Sequence, residues 1–399
     1  MISIEDAGVP LAFPVADGSA AYDWPQATDA AVPVRVLAGA LAGMQKQALV
    51  RDAASETVWC LLCDEGPYLN GTDLAPFPLA FFTTGLALSY FTEIEALARR
   101  RGIGLQRATL VQDNFYSMEG SAIRGTMTGG ALPVDLALHA DSDADRATLT
   151  GLVGDAVMAS PGNALLREVF ESRFTITHNG AAIAPGRAAG LECAQQPAPH
   201  AALEAARPAV TPQEPLIEKC EAAETVIGVE GGAGSSLAAE QKRLLHVRGI
   251  VHRRDDGLLA VRTQLFKPIG SVFRFIGDLP ARYGGADRAP SPMAYLAAGI
   301  AFCYMTQIGR YAEITRRRLD RYAVVQDIEF GDLMASAGAN RPARAGPVLT
   351  HVHIDSPEDA DTVRTIVDMG EQTCFLHAAC RTALKTRIHV RPPLEGSEA

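Results

Sequence analysis

Ala289-Pro290-Ser291-Pro292-Met293-Ala294-Tyr295-Leu296-Ala297-Ala298-Gly299-Ile300-Ala301-Phe302-Cys303 opens a stretch that runs to Arg318, and its reading decides the fold. Ser291 is a good helix N-cap, and Pro292 suits the first helical position, where a missing N–H costs nothing. Tyr295, Leu296, Ile300, Ala301, Tyr304 and Ile308 follow three to four apart, the period of a buried helical face. Small residues (Ala297, Ala298, Gly299, Ala301) crowd the turn before Cys303, so another element must pack close there. Arg316, Arg317 and Arg318 suit the negative pole of a helix dipole. The spacing predicts one helix over 293–318, roughly 40 Å long at about 1.5 Å per residue. Arg310 and Glu313 argue against a membrane span. The plainest reading of Cys303 is a small core residue.

The same stretch occurs 214 residues earlier, where Ala75-Pro76-Phe77-Pro78 lies on Ala289-Pro290-Ser291-Pro292. Between Asp64 and Ala98, 13 of 35 positions are identical at this offset, including Gly85/Gly299, Tyr90/Tyr304 and Thr92/Thr306. The match continues at Val111-Gln112-Asp113 on Val325-Gln326-Asp327, and at His139, Asp141, Ser142 and Asp145 on His353, Asp355, Ser356 and Asp359. The pattern reads as a tandem duplication with two copies, too few for a solenoid.

With 399 residues, 48% hydrophobic and 21% charged, the chain has ample core for two domains. A net charge of −10 speaks against nucleic acid or an anionic membrane surface as a partner. Met1 to Asp6 lacks a signal-peptide pattern, and seven cysteines without one point to a reducing cytoplasm.

Along the chain, 1–32 is a lead-in tacked down by Tyr22 and Trp24, and 33–180 is the first domain. Its strands are expected at 34–37, 47–50, 57–62, 106–115, 122–127, 133–139 and 173–177. A long helix over 79–101 closes on Gly102, and a helix over 143–157 is capped by Ser142 and Asp145. Residues 181–244 are an Ala/Pro/Glu-rich linker with helical pieces at 201–206 and 214–224. The second domain, 245–391, repeats the plan with strands at 245–252, 258–264, 271–276, 321–330 and 349–354. Ser356 to Asp359 open a further helix, a last helix lies around 374–384, and 392–399 is a tail.

Cys303 and Cys374 stand where the first copy has Ser89 and Ser160. A thiol pair exchanged together for a serine pair is what two cooperating thiols would leave; two tight sites for small residues would leave the same trace. Ser160-Pro161 puts Cys374 at a helix start, where the dipole favours a thiolate.

The run from Pro292 to Cys303, with its small residues and a cysteine eleven positions after the proline, resembles the central helix of the OsmC/Ohr family. The acidic-capped helix from Ser356 to Gln372, ending in Cys374, resembles that family's second cysteine segment. The resemblance implies an α+β fold of two OsmC-like domains, each an antiparallel sheet with a long central helix, paired as an intramolecular pseudo-dimer. It implies a thiol peroxidase acting on organic hydroperoxides, with Cys303 as the peroxidatic nucleophile and Cys374 as the resolving thiol. The first copy would be a degenerate half. A dithiol reductant of the lipoyl type, a small-molecule hydroperoxide substrate and further homodimerisation belong to the same implication.

This chain departs from the family at the acidic residue after the helix proline, where Met293 and Ala294 stand, and at the proline after the second cysteine, where Phe375 stands. For the family's arginine the candidates are Arg282, Arg254 and Arg253, each otherwise a solvated surface charge. No metal or cofactor is expected. Cys60-Leu61-Leu62-Cys63 lies in a strand without a second ligand pair, and Gly231-Gly232-Ala233-Gly234 completes no phosphate loop. Cys193 and Cys220 read as free linker thiols, Cys380 as facing away from Cys374, and His377 as a surface residue or a tuner of Cys374. The competing function is a non-enzymatic protein that binds a small hydrophobic ligand between its domains. Contact between Cys303 and Cys374 separates the two readings.

Overall fold

The computed structural model describes residues 3–18, 22–29, 31–222, 241–267, 269–334 and 342–394. The first half runs α1 (Ile4–Ala7), β1 (Ala12–Pro14), β2 (Val32–Ala40), β3 (Lys46–Asp52), β4 (Trp59–Cys63), α2 (Pro78–Arg101), β5 (Gln106–Gly120), β6 (Thr128–Ala131), β7 (Val134–Asp141), α3 (Arg146–Ala159), α4 (Pro161–Arg167) and β8 (Arg173–His178). Connecting elements are β9 (Ala181–Ile183), β10 (Ala189–Gly190), α5 (His200–Ala205) and β11 (Ile217–Glu221). The second half runs β12 (Gln241–Arg253), β13 (Leu259–Lys267), β14 (Val272–Gly277), α6 (Pro292–Ile314), β15 (Arg321–Phe330), β16 (Leu349–Asp355), α7 (Ala360–Thr373), α8 (Phe375–Cys380) and β17 (Thr386–Arg391).

The two long helices form where the apolar periodicity puts them. In α6 the Ser291 hydroxyl accepts from the Ala294 N–H, and α2 ends on Gly102 at φ 66°. Their crossing explains the small residues. A Cβ on Gly85 would stand 2.4 Å from the Leu296 nitrogen, and one on Gly299 2.5 Å from the Phe82 nitrogen. Only glycine allows two helix backbones to approach so closely. Around the crossing Phe81 packs edge-on against Phe302 and Phe275, each at 5.2 Å between centroids. Helix α6 ends at Ile314, short of the expected Arg318, because Arg316 turns to φ 54° and Glu358 takes up the Arg318 N–H and the Arg317 side chain.

Helix α6 packs on one sheet and α2 on the other, so the helix pair lies between two sheets. One sheet has the order β1-β4-β3-β2-β15-β16-β8-β10 and the other β11-β14-β13-β12-β5-β7-β17. Each joins three early strands of one half to two later strands of the other. The seams are β2 on β15, with Arg35 opposite Asp327, and β12 on β5, with Arg248 opposite Asp113. Across both seams the arginine holds the aspartate with two short hydrogen bonds, 2.7 Å each for Arg35 and 2.8 and 2.9 Å for Arg248. Neither half closes a sheet from its own strands.

Several expectations need correction. The sheets are mixed rather than antiparallel: β8 lies parallel to β16 and β17 parallel to β7, because each half's last strand returns by way of two helices to the sheet that its first strands belong to. The piece expected to be helical at 214–224 contains strand β11, which pairs with β14 at the sheet edge. The strand expected at 122–127 is a turn, and β6 follows it. The glycine run at 231–234 lies outside the described residues. On the outer face of the first sheet, Trp24 and Leu203 of the lead-in and connector join Leu37, Leu49 and Val325 in a second small core. No helix among the described residues is long and apolar enough to cross a membrane.

Candidate functional site

Cys303 sits mid-way along α6, and Cys374 is the residue between α7 and α8 that caps the latter. Both are buried, Cys303 at 2% exposure and Cys374 at 0%, and the Cys374 thiol lies close enough to act on that of Cys303. Cys374 stands at the start of helix α8 as expected, and the Leu376 N–H of the same turn acts to lower the Cys303 pKa. Burial nonetheless pushes the Cys303 thiol well above its ordinary range, with the Cys374 thiol adding to the rise and the Leu376 N–H opposing it.

The rest of the surroundings come from the first half. Tyr116, near the end of β5, leans on Phe375 at 5.8 Å between ring centroids, and its hydroxyl lies within the field of Cys303, Cys374 and Cys380. Its own pKa is driven up by burial, and the hydroxyl has no hydrogen-bond partner. Gly129 of β6 lies flush on the chain entering Cys374, since a Cβ there would stand 2.5 Å from the Thr373 carbonyl oxygen. Gln372 fixes this cover by donating to the Gly125 and Met127 carbonyls at 3.2 and 2.7 Å. Arg381 braces the same join, donating to the Gln372 carbonyl at 3.1 Å and to the Glu371 carboxylate at 2.6 Å.

One helical turn beyond Cys303, the Thr306 hydroxyl donates to Glu65 at 2.7 Å, and Tyr68 donates to the other Glu65 oxygen at 3.3 Å. Glu65 is buried; burial raises its pKa, Lys46 opposes that rise, and Glu65 in turn favours the charged form of Arg310. Lys46 is itself 1% exposed and donates to the Met44 carbonyl at 2.6 Å. An ionic cluster drawn from both halves therefore adjoins the thiols.

The matching positions on α2 and α4 have the same geometry and none of this chemistry. The hydroxyls of Ser89 and Ser160 are 2.8 Å apart, and Ser160 caps α4 by accepting from the Asn163 N–H at 3.1 Å. Where Glu65 and Tyr116 stand beside the thiols, the offset of 214 gives Leu279 and Phe330, both buried. Strand register shows the offset falling to 213 in β13: Lys46 faces Cys63, while Leu259 faces Gly277. Leu259 thus replaces Lys46. Thr92, the counterpart of Thr306, has a buried hydroxyl without a partner, as the loss of the carboxylate requires.

The arginines singled out from sequence lie elsewhere. Arg282 pairs with Asp332 at 2.9 Å and stacks on Tyr283; Arg254 pairs with Glu214 at 2.7 Å and Asp256 at 2.9 Å; Arg253 pairs with Glu95. The cause is the strand exchange, which puts the loop after β4, not the loop after β14, against the α6 cysteine. His377 is fully buried between Tyr304 and Phe174, and burial pushes its pKa down to about 3, so it is a neutral core ring and not a surface residue. Cys380 is buried, and the Cys374 thiol is close enough to add to the rise in its pKa that burial causes. Cys60 and Cys63 belong to different cores on opposite faces of β4, as a spacing of three in a strand dictates. Among the described residues no cluster suits a metal ion.

Comparison with known proteins finds likenesses to part of the chain. A profile described as OsmC-like protein matches residues 284–389. Two solved structures resemble part of the chain. One is an OsmC-like hydroperoxide resistance protein from Jannaschia sp. CCS1, at 20% identity, covering 32% of this chain and 79% of that one with a TM-score of 0.19. The other is an organic hydroperoxide resistance protein OsmC from Legionella pneumophila, at 17% identity, covering 33% and 95% with a TM-score of 0.24. No curated protein matches. The chain carries an OsmC-like domain at residues 284–389.

Proposed function

We propose that this OsmC-like domain reduces organic hydroperoxides with Cys303 and Cys374, the first half of the chain completing its site. The observation that carries the reading is the buried pair of neighbouring thiols beside an ionic cluster, in a fold whose other half places a serine pair at the matching positions. Cys303, ionised, attacks the peroxide; the O–O bond breaks, giving a Cys303 sulfenic acid and an alcohol. Cys374 then attacks the sulfenic sulfur, forming the Cys303–Cys374 disulfide and releasing water. A dithiol, such as a lipoyl-type reductant, takes the disulfide back to two thiols. The resolving step is served by the nearness of the two buried thiols, Cys374 acting directly on Cys303.

The reading includes a tandem duplication: residues 33–180 and 245–391 are two OsmC-like units fused as a pseudo-dimer, joined by the 181–244 connector, and working in a reducing cytoplasm. Homodimerisation of the whole chain remains part of the proposal. Burial of Cys303 with a raised pKa favours a second reading, in which the interface binds a small hydrophobic ligand and the thiols are idle. Hydroperoxide consumption with a dithiol reductant separates the two. The peroxidase reading expects turnover by the wild-type chain and none by Cys303→Ser; equal rates for both would favour the binding reading.

A further inference from the structure

We propose that Tyr116 is a catalytic residue of this site, its phenol hydroxyl giving a proton to the leaving oxygen of the hydroperoxide as Cys303 attacks. The inference rests on the peroxidase reading above and adds a residue that neither the cysteine pattern nor the family match supplies. Three observations carry it. The Tyr116 hydroxyl is a buried polar atom without a hydrogen-bond partner, an arrangement that costs stability unless something uses the atom. Its ring packs on Phe375, the residue after Cys374, and the titratable groups close enough to act on its hydroxyl are the thiols of Cys303, Cys374 and Cys380. At the equivalent position beside the serine pair stands Phe330, which has the ring without the hydroxyl.

The thiols occur where the phenol occurs. A structural role for the ring would be served equally by phenylalanine, as it is at 330, so the hydroxyl is what distinguishes the thiol side. Burial keeps Tyr116 protonated, the form a proton donor needs. Protons balance in the step. Cys303 gives its proton to solvent before it attacks, the phenol hands its own to the departing alkoxide and takes one back from solvent, so thiol plus hydroperoxide gives sulfenic acid plus alcohol, with Tyr116 unchanged at the end.

Tyr116→Phe tests this and copies a residue the fold already accepts at the matching position. The rate of Cys303 sulfenic acid formation is measured with cumene hydroperoxide, whose alkoxide needs a proton, and with peracetic acid, whose carboxylate does not. Alkylation of Cys303 by iodoacetamide reports the thiol's own reactivity. The proposal expects the variant to lose about 10²-fold with cumene hydroperoxide, in line with general-acid effects, and to keep near-wild-type rates with peracetic acid and iodoacetamide. Equal losses with both peroxides, slowed alkylation, or an unchanged cumene hydroperoxide rate would overturn it. A wild-type chain inert to both peroxides would instead overturn the peroxidase reading, and this proposal with it.

Discussion

Two polar pairs sit at matching places on the crossed helices, Cys303 with Cys374 and Ser89 with Ser160, each made of one residue from a long helix and one cap of a short helix. The backbone that brings them together is the same. What differs is the company: Glu65, Lys46 and Tyr116 on the thiol side, Leu279, Leu259 and Phe330 on the serine side. Because the sheets exchange strands, the residues that equip each pair come largely from the other half of the chain. The fold thus brings each pair together, and under the proposed function the other half adds the proton donor.

The largest effect expected follows from moving the thiols. Ser89→Cys with Ser160→Cys, placed in a Cys303→Ser, Cys374→Ser background, should give two neighbouring thiols that react with cumene hydroperoxide about 10²-fold more slowly than the natural pair, lacking the proton donor. Adding Phe330→Tyr should recover part of the loss. Stopped-flow sulfenic acid trapping measures both, and transplanted thiols reacting at the natural rate would break the comparison.

The shared backbone can be tested separately. Gly299→Ala drives a Cβ to 2.5 Å from the Phe82 nitrogen, and Gly85→Ala drives one to 2.4 Å from the Leu296 nitrogen. Each should cost about 3 kcal/mol, as overpacking against an immovable backbone does. Gly104→Ala, with nothing within 4 Å, is the control and should be neutral in denaturant unfolding. Equal stabilities would mean that the helices do not cross there.

A smaller effect involves Glu93, whose counterpart is Gln307. Burial pushes its pKa up to about 7, one oxygen accepts from the Met334 N–H at 2.7 Å, and the other has no partner. Below pH 4.5 the group is protonated folded or unfolded and costs nothing. As the pH rises towards 7 only the unfolded chain ionises, so stability falls, and above that the penalty is constant. Glu93→Gln should therefore gain stability over wild type from pH 4.5 to 7, reaching at most about 3 kcal/mol. A stability difference independent of pH would contradict it.

The smallest effect concerns the field at Cys303. The Glu65 carboxylate raises that thiol's pKa, so Glu65→Gln should lower it while costing some stability through the buried Lys46. Iodoacetamide alkylation against pH reads the shift, and an upward shift would mean that Glu65 acts otherwise than through its charge.

Much of this was legible in the sequence, but not the part that decides reactivity. Apolar periodicity placed both long helices, and the constant offset exposed the Cys-for-Ser exchange. The strand exchange was hidden, because alternation along a strand specifies a buried face without naming the neighbouring strand. That gap misdirected the search for a cation to Arg282 and Arg254, whose loops and strands serve other carboxylates. Glu65 and Tyr116 carried a signal that went unused: at the same offset that turns Cys303 into Ser89, they turn into Leu279 and Phe330. A lone buried glutamate or tyrosine looks ordinary; its loss together with the thiols does not. The turn at 122–127 misled by its apolar residues, since Ala122 and Met127 are buried as part of the cover over Cys374 and not as strand positions.

Mass spectrometry of the chain after one equivalent of organic hydroperoxide tests the central claim most directly. A single disulfide, Cys303–Cys374, should form in the wild-type chain, and Cys374→Ser should instead hold a sulfenic acid on Cys303. Oxidation confined to Cys60, Cys63, Cys193 or Cys220, with Cys303 and Cys374 still reduced, would contradict the account.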